Sequence, residues 1–237
     1  MKLLPLIALF FLCLQASAQS LEGYAGLGFN RFYDFNYDDG HYHSDYEKGL
    51  AKRLGIGLFG KTNLGLGMGL TLHYTEIEGG IQLKYDGLAA GFELDGDAKL
   101  RTVELGLFPL NLGMQIKSLK GTIEILMGME FGLLVGGSLE GKETNWHLDF
   151  DHSSTPPNII YNTETKPINT ETRTYFTNLN ASLCLKLGYS LPIGKKLELI
   201  PRLHLGYGLT KRFTYEVDSR PKNRNSILEV SLRRALN

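Results

Sequence analysis

Cysteine is nearly missing from this 237-residue chain, which has only Cys13 and Cys184. Cys13 lies in the apolar N-terminal run, so a processed chain keeps Cys184 alone. That excludes an intrachain disulfide and any cysteine-based metal cluster. Proline is sparse, at 8 residues, and no long segment carries a helical period. Past the N-terminus no apolar stretch reaches the length of about 18 residues expected of a membrane helix. Charge of one sign is lacking too, because 25 basic residues face 25 acidic ones. No basic stretch interleaves with aromatics, which leaves no nucleic-acid footprint. There is no G-x-S-x-G segment of the kind that positions a serine nucleophile.

The N-terminus, MKLLPLIALFFLCLQASAQS, carries an export signal. Lys2 supplies the positive charge, Leu3 to Leu14 the apolar run, and Ala16-Ser17-Ala18 a small-x-small cleavage site. These predict a signal peptide over 1–18 and one domain over 19–237. A short anchor helix is the alternative, but the run falls below the roughly 20 residues that span a bilayer. Large Phe11 and Leu12 before Cys13 disfavour lipoprotein processing.

What is abundant is glycine (28) together with tyrosine and phenylalanine (12 each), set in period-two alternation. Leu64, Leu66, Met68, Leu70 and Leu72 share one face of a strand, and Gly65, Gly67, Gly69, Thr71 and His73 share the other. Similar rows run over Leu21–Phe32, Gly49–Gly60, Ala98–Ile116, Gly121–Leu139, Thr177–Leu191, Leu197–Phe213 and Ser226–Leu236. Pro109 disturbs the phase of its row, as a bulge would.

The connections alternate in length. Lys61–Asn63, Lys117–Lys120 and Pro192–Lys196 are short, whereas 33–48, 79–97, 140–176 and 214–225 are long. Even strand number, short turns at one end and long loops at the other predict an all-β fold, an eight-stranded antiparallel up-and-down transmembrane β-barrel, porin-like in its wall. Large apolar residues would face lipid, and glycine and polar residues the narrow interior. The polar stretch 149–174 reads as a mobile outer loop. Phe32, Tyr33, Phe35, Tyr37, Tyr74, Tyr85, Tyr175, Phe176, Phe213 and Tyr215 read as interfacial girdles. A soluble eight-stranded barrel would need to pack the seven large residues from Ile123 to Val135 inside and stud its outer face with glycine.

LRTVELGLFPLNLGMQIK, a short turn and then GTIEILMGMEFGLLV (Leu100 to Val135) resemble the outer-membrane β-barrel families of the Bacteroidetes, the PorT-like and generic barrel groups. Glu104 matches their central glutamate, and Gly106 stands where proline is common. The resemblance extends loosely over the processed chain. It implies the fold and an outer-membrane location, and it includes secretion components and adhesins. The C-terminal Arg234-Ala235-Leu236-Asn237 departs from the aromatic ending that barrel assembly machinery reads.

The inward-facing polar set is the candidate site: Glu22, Glu104, Glu124, Glu130, Glu198 and Glu229 against Arg53, Lys186, Arg202 and Arg233, with His73 and His204. A narrow interior filled by side chains needs such charges paired. The alternatives are a polar cavity or small pore, and a rim site for acyl transfer built on His73, which reads as near the outward end of its strand. His41, His43 and Asp45 form a candidate surface metal site. Gly55 to Gly60 matches G-x-G-x-x-G but precedes a turn and another strand, which excludes the dinucleotide role. No cofactor is expected. The expected function is non-enzymatic: structural, adhesive, or part of a surface or secretion assembly. The partners would be outer-membrane lipid, the assembly machinery, and a protein or glycan at the outer loops, with the barrel monomeric. A lipid-modifying enzyme and a narrow pore or carrier for small apolar molecules are the rivals.

Overall fold

The computed structural model describes residues 18–33, 42–61, 67–87, 89–115, 120–151, 158–171, 176–212 and 222–236. Residues 1–17, which hold all but the last residue of the expected signal peptide, His41 and part of each long connection lie outside them.

The described chain is all-β and antiparallel. Its strands are β1 (Ala18–Tyr33), β2 (Tyr42–Tyr46), β3 (Lys48–Lys61), β4 (Gly67–Asp86), β5 (Ala90–Gln115), β6 (Thr122–Asp151), β7 (Asn158–Glu171), β8 (Leu179–Pro192), β9 (Leu197–Gly208) and β10 (Lys222–Ala235). The pairings β4-β3-β1-β10-β9-β8-β6-β5 return to β4, so eight strands form a closed cycle. β1 pairs β10 over nearly its whole length, which puts the start of β1 and the end of β10 together at one end of the barrel-like sheet. The other two strands are additions: β2 pairs β4, and β7 pairs β6.

Two expectations need correction here. Residues 79–97 are not a long loop. β4 continues to Asp86 and β5 resumes at Ala90. Most of 140–176 is likewise strand, the end of β6 and all of β7, joined residue for residue from Ser138↔Glu171 to Asp151↔Asn158. At 30 residues β6 is far longer than the roughly 9–11 that cross a bilayer. β2, β4, β5, β6 and β7 therefore continue beyond the closed cycle as a five-stranded sheet. Its outer edge, β7, carries Lys166, Glu164 and Pro167, residues that discourage pairing with another strand.

Within the closed part the alternation runs apolar outward and polar inward. Leu27, Phe29, Leu54, Ile56, Leu72, Leu183, Leu203 and Leu228 are exposed, while Glu22, Arg53, His73, Glu130, Lys186, Arg202 and Glu229 are buried. Beyond Thr75 the two faces exchange character. Glu76, Glu78, Gln82 and Lys84 take the outward row of β4, and Ile77, Ile81 and Leu83 are buried on its inner face. β5 repeats the switch, with Leu94, Ala98 and Leu100 buried on the face that holds Thr102 and Glu104 lower down.

A register shift between β5 and β6 leaves Val135 out of the ladder, Thr102 pairing Leu134 and Arg101 pairing Gly136. That bulge moves the inward row of β6 from even to odd positions, so Leu139 joins the inner apolar face. A second shift, between Leu107 and Leu110, falls at Pro109 as its phase change predicts.

The larger apolar cluster accordingly sits toward the projecting part, and a smaller one of Phe59, Phe108, Leu126 and Cys184 lies inside the closed part. In the larger cluster, Ile77, Ile81, Leu83, Leu94, Leu100, Leu139 and Ile168 pack with Phe32, Tyr46 and Phe176. Phe32 and Phe176 are buried there, not placed in a lipid-facing girdle, whereas Tyr74 does face outward. Phe35, Tyr37, Tyr175, Phe213 and Tyr215 lie outside the described residues.

Candidate functional site

Alternation on eight neighbouring strands sends their polar side chains to one axis. Small residues make room for the long ones. A Cβ at Gly188 would lie 2.5 Å from Cγ of Arg202, and one at Gly55 would lie 2.5 Å from Cβ of His73 and 2.7 Å from the Tyr24 ring. These glycines let a guanidinium and an aromatic ring lie across the lumen.

The charges gather in two layers. In the middle layer, Arg53 is the hub. It donates from Nη1 and Nη2 to the two oxygens of Glu130 at 3.1 and 2.9 Å, and it reaches Glu104 at 3.3 Å and Glu229 at 3.4 Å. Lys186 Nζ donates to Glu229 at 3.1 Å and lies 4.6 Å from the centre of the Tyr24 ring. His204 stands 3.1 Å from Arg53 Nη1. His73 contacts Tyr24 Oη through Nδ1 and Glu104 through Nε2, both at 3.0 Å. Thr75 and Thr102 each donate to Glu104 at 3.0 Å.

Nearer the chain ends lies the second layer. Arg202 donates to Glu22 at 2.9 Å and Glu124 at 2.8 Å, and Arg233 to Glu22 at 3.0 Å and Glu124 at 2.9 Å. Phe59 underlies both guanidinium groups, 5.7 Å from Arg202 and 5.0 Å from Arg233.

The sequence-derived set is thus brought together, with one difference. Glu198 sits at the rim, its side chain 41% exposed, and touches Arg233 at 3.5 Å. The sequence reading missed Arg212, which is buried 3.9 Å from Glu104 and donates to Asn223 at 2.9 Å. It lies four residues past Gly208, the end of β9, yet on the same even row as Arg202 and His204, and that row was the signal that could have found it. Counting Arg212 and leaving out Glu198, five buried glutamates face five buried cations. Burying a charge is costly unless it is paired and hydrogen-bonded; the balance meets the first demand, while the Nε atoms of Arg53 and Arg202 have no hydrogen-bond partner among the described residues.

The chemistry open to this arrangement is narrow. His73 is not at a rim. β4 continues well past it, and it is 2% exposed with both ring nitrogens engaged. This removes the geometry that a lipid-modifying site on His73 requires. Two ligand-type groups, His73-Glu104-Glu130 and Glu130-Cys184-His204, have donor atoms within 4.8 Å of one another. Arg53 already bonds Glu130 and Glu104 and supplies the positive charge that a cation would bring. Of the candidate surface metal site, His41 lies outside the described residues, while His43 and Asp45 lie on exposed β2, Asp45 being 3.8 Å from Arg31.

At the end holding the chain termini, a polar mouth of about 600 Å³ reaches Glu124 and Arg233, at the second layer. At the other end, the apolar cluster around Ile77 and Leu100 follows the middle layer. Between them lie the two layers of paired charges.

No family model and no curated protein matches this chain. Solved structures similar to it include the Neisserial surface protein A, at 12% identity over 91% of this chain and 97% of that one, with a TM-score of 0.44. The outer membrane protein OprG of Pseudomonas aeruginosa is 10% identical over 92% and 96%, with a TM-score of 0.41. Ail, the attachment invasion locus protein of Yersinia pestis, is 11% identical over 91% and 99%, with a TM-score of 0.31.

Proposed function

We propose that this chain is an integral outer-membrane protein, an eight-stranded up-and-down β-barrel, whose work is non-enzymatic. The barrel is a sealed, charge-filled support, and the five-stranded sheet it carries beyond the membrane recognises a protein or glycan at the cell surface. The observation that carries this reading is the exchange of faces along β4 and β5. An apolar outer row suits lipid, and a charged outer row on the same strands suits water. Paired charges and packed side chains along the axis favour a support over a transport path. The termini-proximal end with its short turns then faces the periplasm, as does the start of the domain after removal of residues 1–18. The Bacteroidetes-type resemblance of residues 100–135 fits this placement.

The test uses a Lys142→Cys variant of the full chain, which puts an accessible thiol on the exposed outer row of β6. Its own Cys184 is buried. In intact cells the new thiol is expected to react with a membrane-impermeant maleimide, and the purified protein to migrate faster unheated than heated. Labelling only after cell lysis, or an unshifted soluble species, overturns the placement. Stable conductance steps in a planar bilayer would overturn the sealed support in favour of a pore.

A further inference from the structure

Just past the apolar belt, one lateral row crosses four strands: Tyr207 on β9, Arg224 on β10, Arg31 on β1 and Lys48 on β3. The ladders pair Arg224 with Tyr207 and Arg31 with both Arg224 and Lys48, so three cations stand directly side by side. All three lie on the outward row and are exposed. Like charges directly opposite across strands are destabilising, and a sequence retains such a row at a cost unless an anion lies over it. Within the described residues, one acid reaches the row. Asp45 lies 3.8 Å from Arg31, which also donates to the Tyr46 carbonyl at 2.9 Å. That leaves Arg224 and Lys48 without an ion-pair partner among the described residues.

The row also has shape. Arg31, Arg224, Tyr33, Tyr207, Ser44 and Asp45 line a groove of about 400 Å³. The rings of Tyr33 and Tyr207 are 5.2 Å apart and form one wall. Toward the belt the same outward rows continue as Phe29, Leu27 and Leu228, which are among the most exposed apolar residues of the chain. The groove therefore has a cationic, aromatic-flanked upper part and an apolar lower approach, at the level where tyrosines mark a membrane interface.

A second cationic group on the outer face differs in the point that matters. Lys52, Lys99 and Arg101 surround Glu76 and Glu78, at 3.0, 3.2 and 3.1 Å from Glu76 and 3.0 Å from Lys99 to Glu78. That group is satisfied internally.

We infer that the Arg31–Arg224 groove binds the phosphate of an anionic lipid headgroup in the outer leaflet, with the acyl chains lying on the apolar row below. Guanidinium forks match phosphate oxygens two at a time, and two forks on adjacent strands can bracket one phosphate. The inference rests on the membrane placement proposed above.

The experiment uses the full processed chain in neutral detergent micelles doped equally with phosphatidic acid and phosphatidylcholine, read by native mass spectrometry for retained lipid. Each charge-assisted contact is worth about 1.5–3 kcal/mol, so losing one costs roughly tenfold or more. Wild-type protein is expected to retain phosphatidic acid at least about tenfold over phosphatidylcholine, and R31Q/R224Q to lose that preference. Lys195→Gln with Lys196→Gln, at the opposite end, should keep it. R31K/R224K keeps the charge and loses the forks, so it should fall between wild type and the glutamine pair. It also serves as the test if R31Q/R224Q fails to fold.

Equal retention by wild type and R31Q/R224Q overturns the site. So does loss of preference in the Lys195/Lys196 variant, which would mark a diffuse charge effect. Competition by inorganic phosphate or a sulfated oligosaccharide at the potency of the lipid would overturn the lipid assignment in favour of a soluble anion. Heat-modifiable migration of the same samples reports the barrel separately, so failure of the membrane placement is distinguishable from failure of the groove.

Discussion

β4 and β5 each pass through two regions that use the same alternation in opposite senses. On the near side of Thr75, Leu72 and Tyr74 point out while Thr71, His73 and Thr75 point in. On the far side, Glu76, Glu78 and Gln82 point out while Ile77, Ile81 and Leu83 point in. The backbone does not change, and the ladder to β5 continues unbroken from Leu70↔Leu107 to Asp86↔Gly91. On the membrane placement proposed above, what changes is the solvent each face meets. In lipid the outer face must be apolar and the polar groups have to find partners inside. In water the hydrophobic effect reverses the preference. On that placement the boundary between Thr75 and Glu76, matched by Val103 and Arg101 on β5, marks where the two solvents meet.

Three tests sharpen or break this comparison, from the largest expected effect to the smallest. Arg53→Met removes the hub of the middle layer and strands Glu130, Glu104 and Glu229. Breaking a buried pair in this way costs about 3–5 kcal/mol. Urea unfolding of the protein in lipid vesicles should show a loss of that order, and an unchanged midpoint would mean that the interior is not held by these pairs.

Next comes one substitution placed in each region. Leu54, 64% exposed in the apolar outward row, replaced by Arg should, on the proposed placement, cost about 2–4 kcal/mol near the midplane. Gln82→Arg, on the outward row of the projecting sheet, should stay within about 0.5 kcal/mol. Equal effects at the two positions would abolish the distinction between the regions.

The smallest effect is at Glu76, just beyond the apolar row. Burial works against its charge, but hydrogen bonds from Lys52, Arg101 and Lys99 outweigh burial and hold its carboxyl down at about 2. A carboxylate held low in the folded state contributes stability above its unfolded value, near 4.3, and loses it as pH falls toward 2. The cationic partners are partly exposed, so the contribution is discounted to at most about 1 kcal/mol. Amide exchange of the projecting sheet at pH 3 and pH 6 should show protection lost on acidification in wild type and much less change in Glu76→Gln. The same acid response in both proteins would remove Glu76 as the cause.

The strands of the closed part were legible because glycine and large aliphatic residues alternate cleanly there, as in Gly67 to Leu72. So was the convergence of Arg53, Glu130, Lys186, Arg202 and Glu229, since period two alone places them on one face. The projecting sheet was not legible. Glu78-Gly79-Gly80, Asp86-Gly87 and Asp95-Gly96-Asp97 have the composition of loops, and the apolar residues between them occupy the face opposite to the preceding apolar row. The bulge at Val135 hid the same continuity in β6, and TETKP in β7 reads as a turn until β6 is beside it. Tyr24, Thr75 and Thr102 stood on the inward rows but were not recognised as hydrogen-bond partners, because the sequence does not give the depth at which each strand meets its neighbour.

By itself, then, the sequence determined that the chain folds into antiparallel strands with one apolar and one polar face. Side-chain direction alternates residue by residue along any strand, and composition alone reveals it. Only the tertiary structure decided which charges meet and where the faces exchange. Those depend on register between strands distant in the chain, such as Glu22 beside Arg233 and Arg202, and on the length to which β4, β5 and β6 continue once each has a partner for its backbone groups.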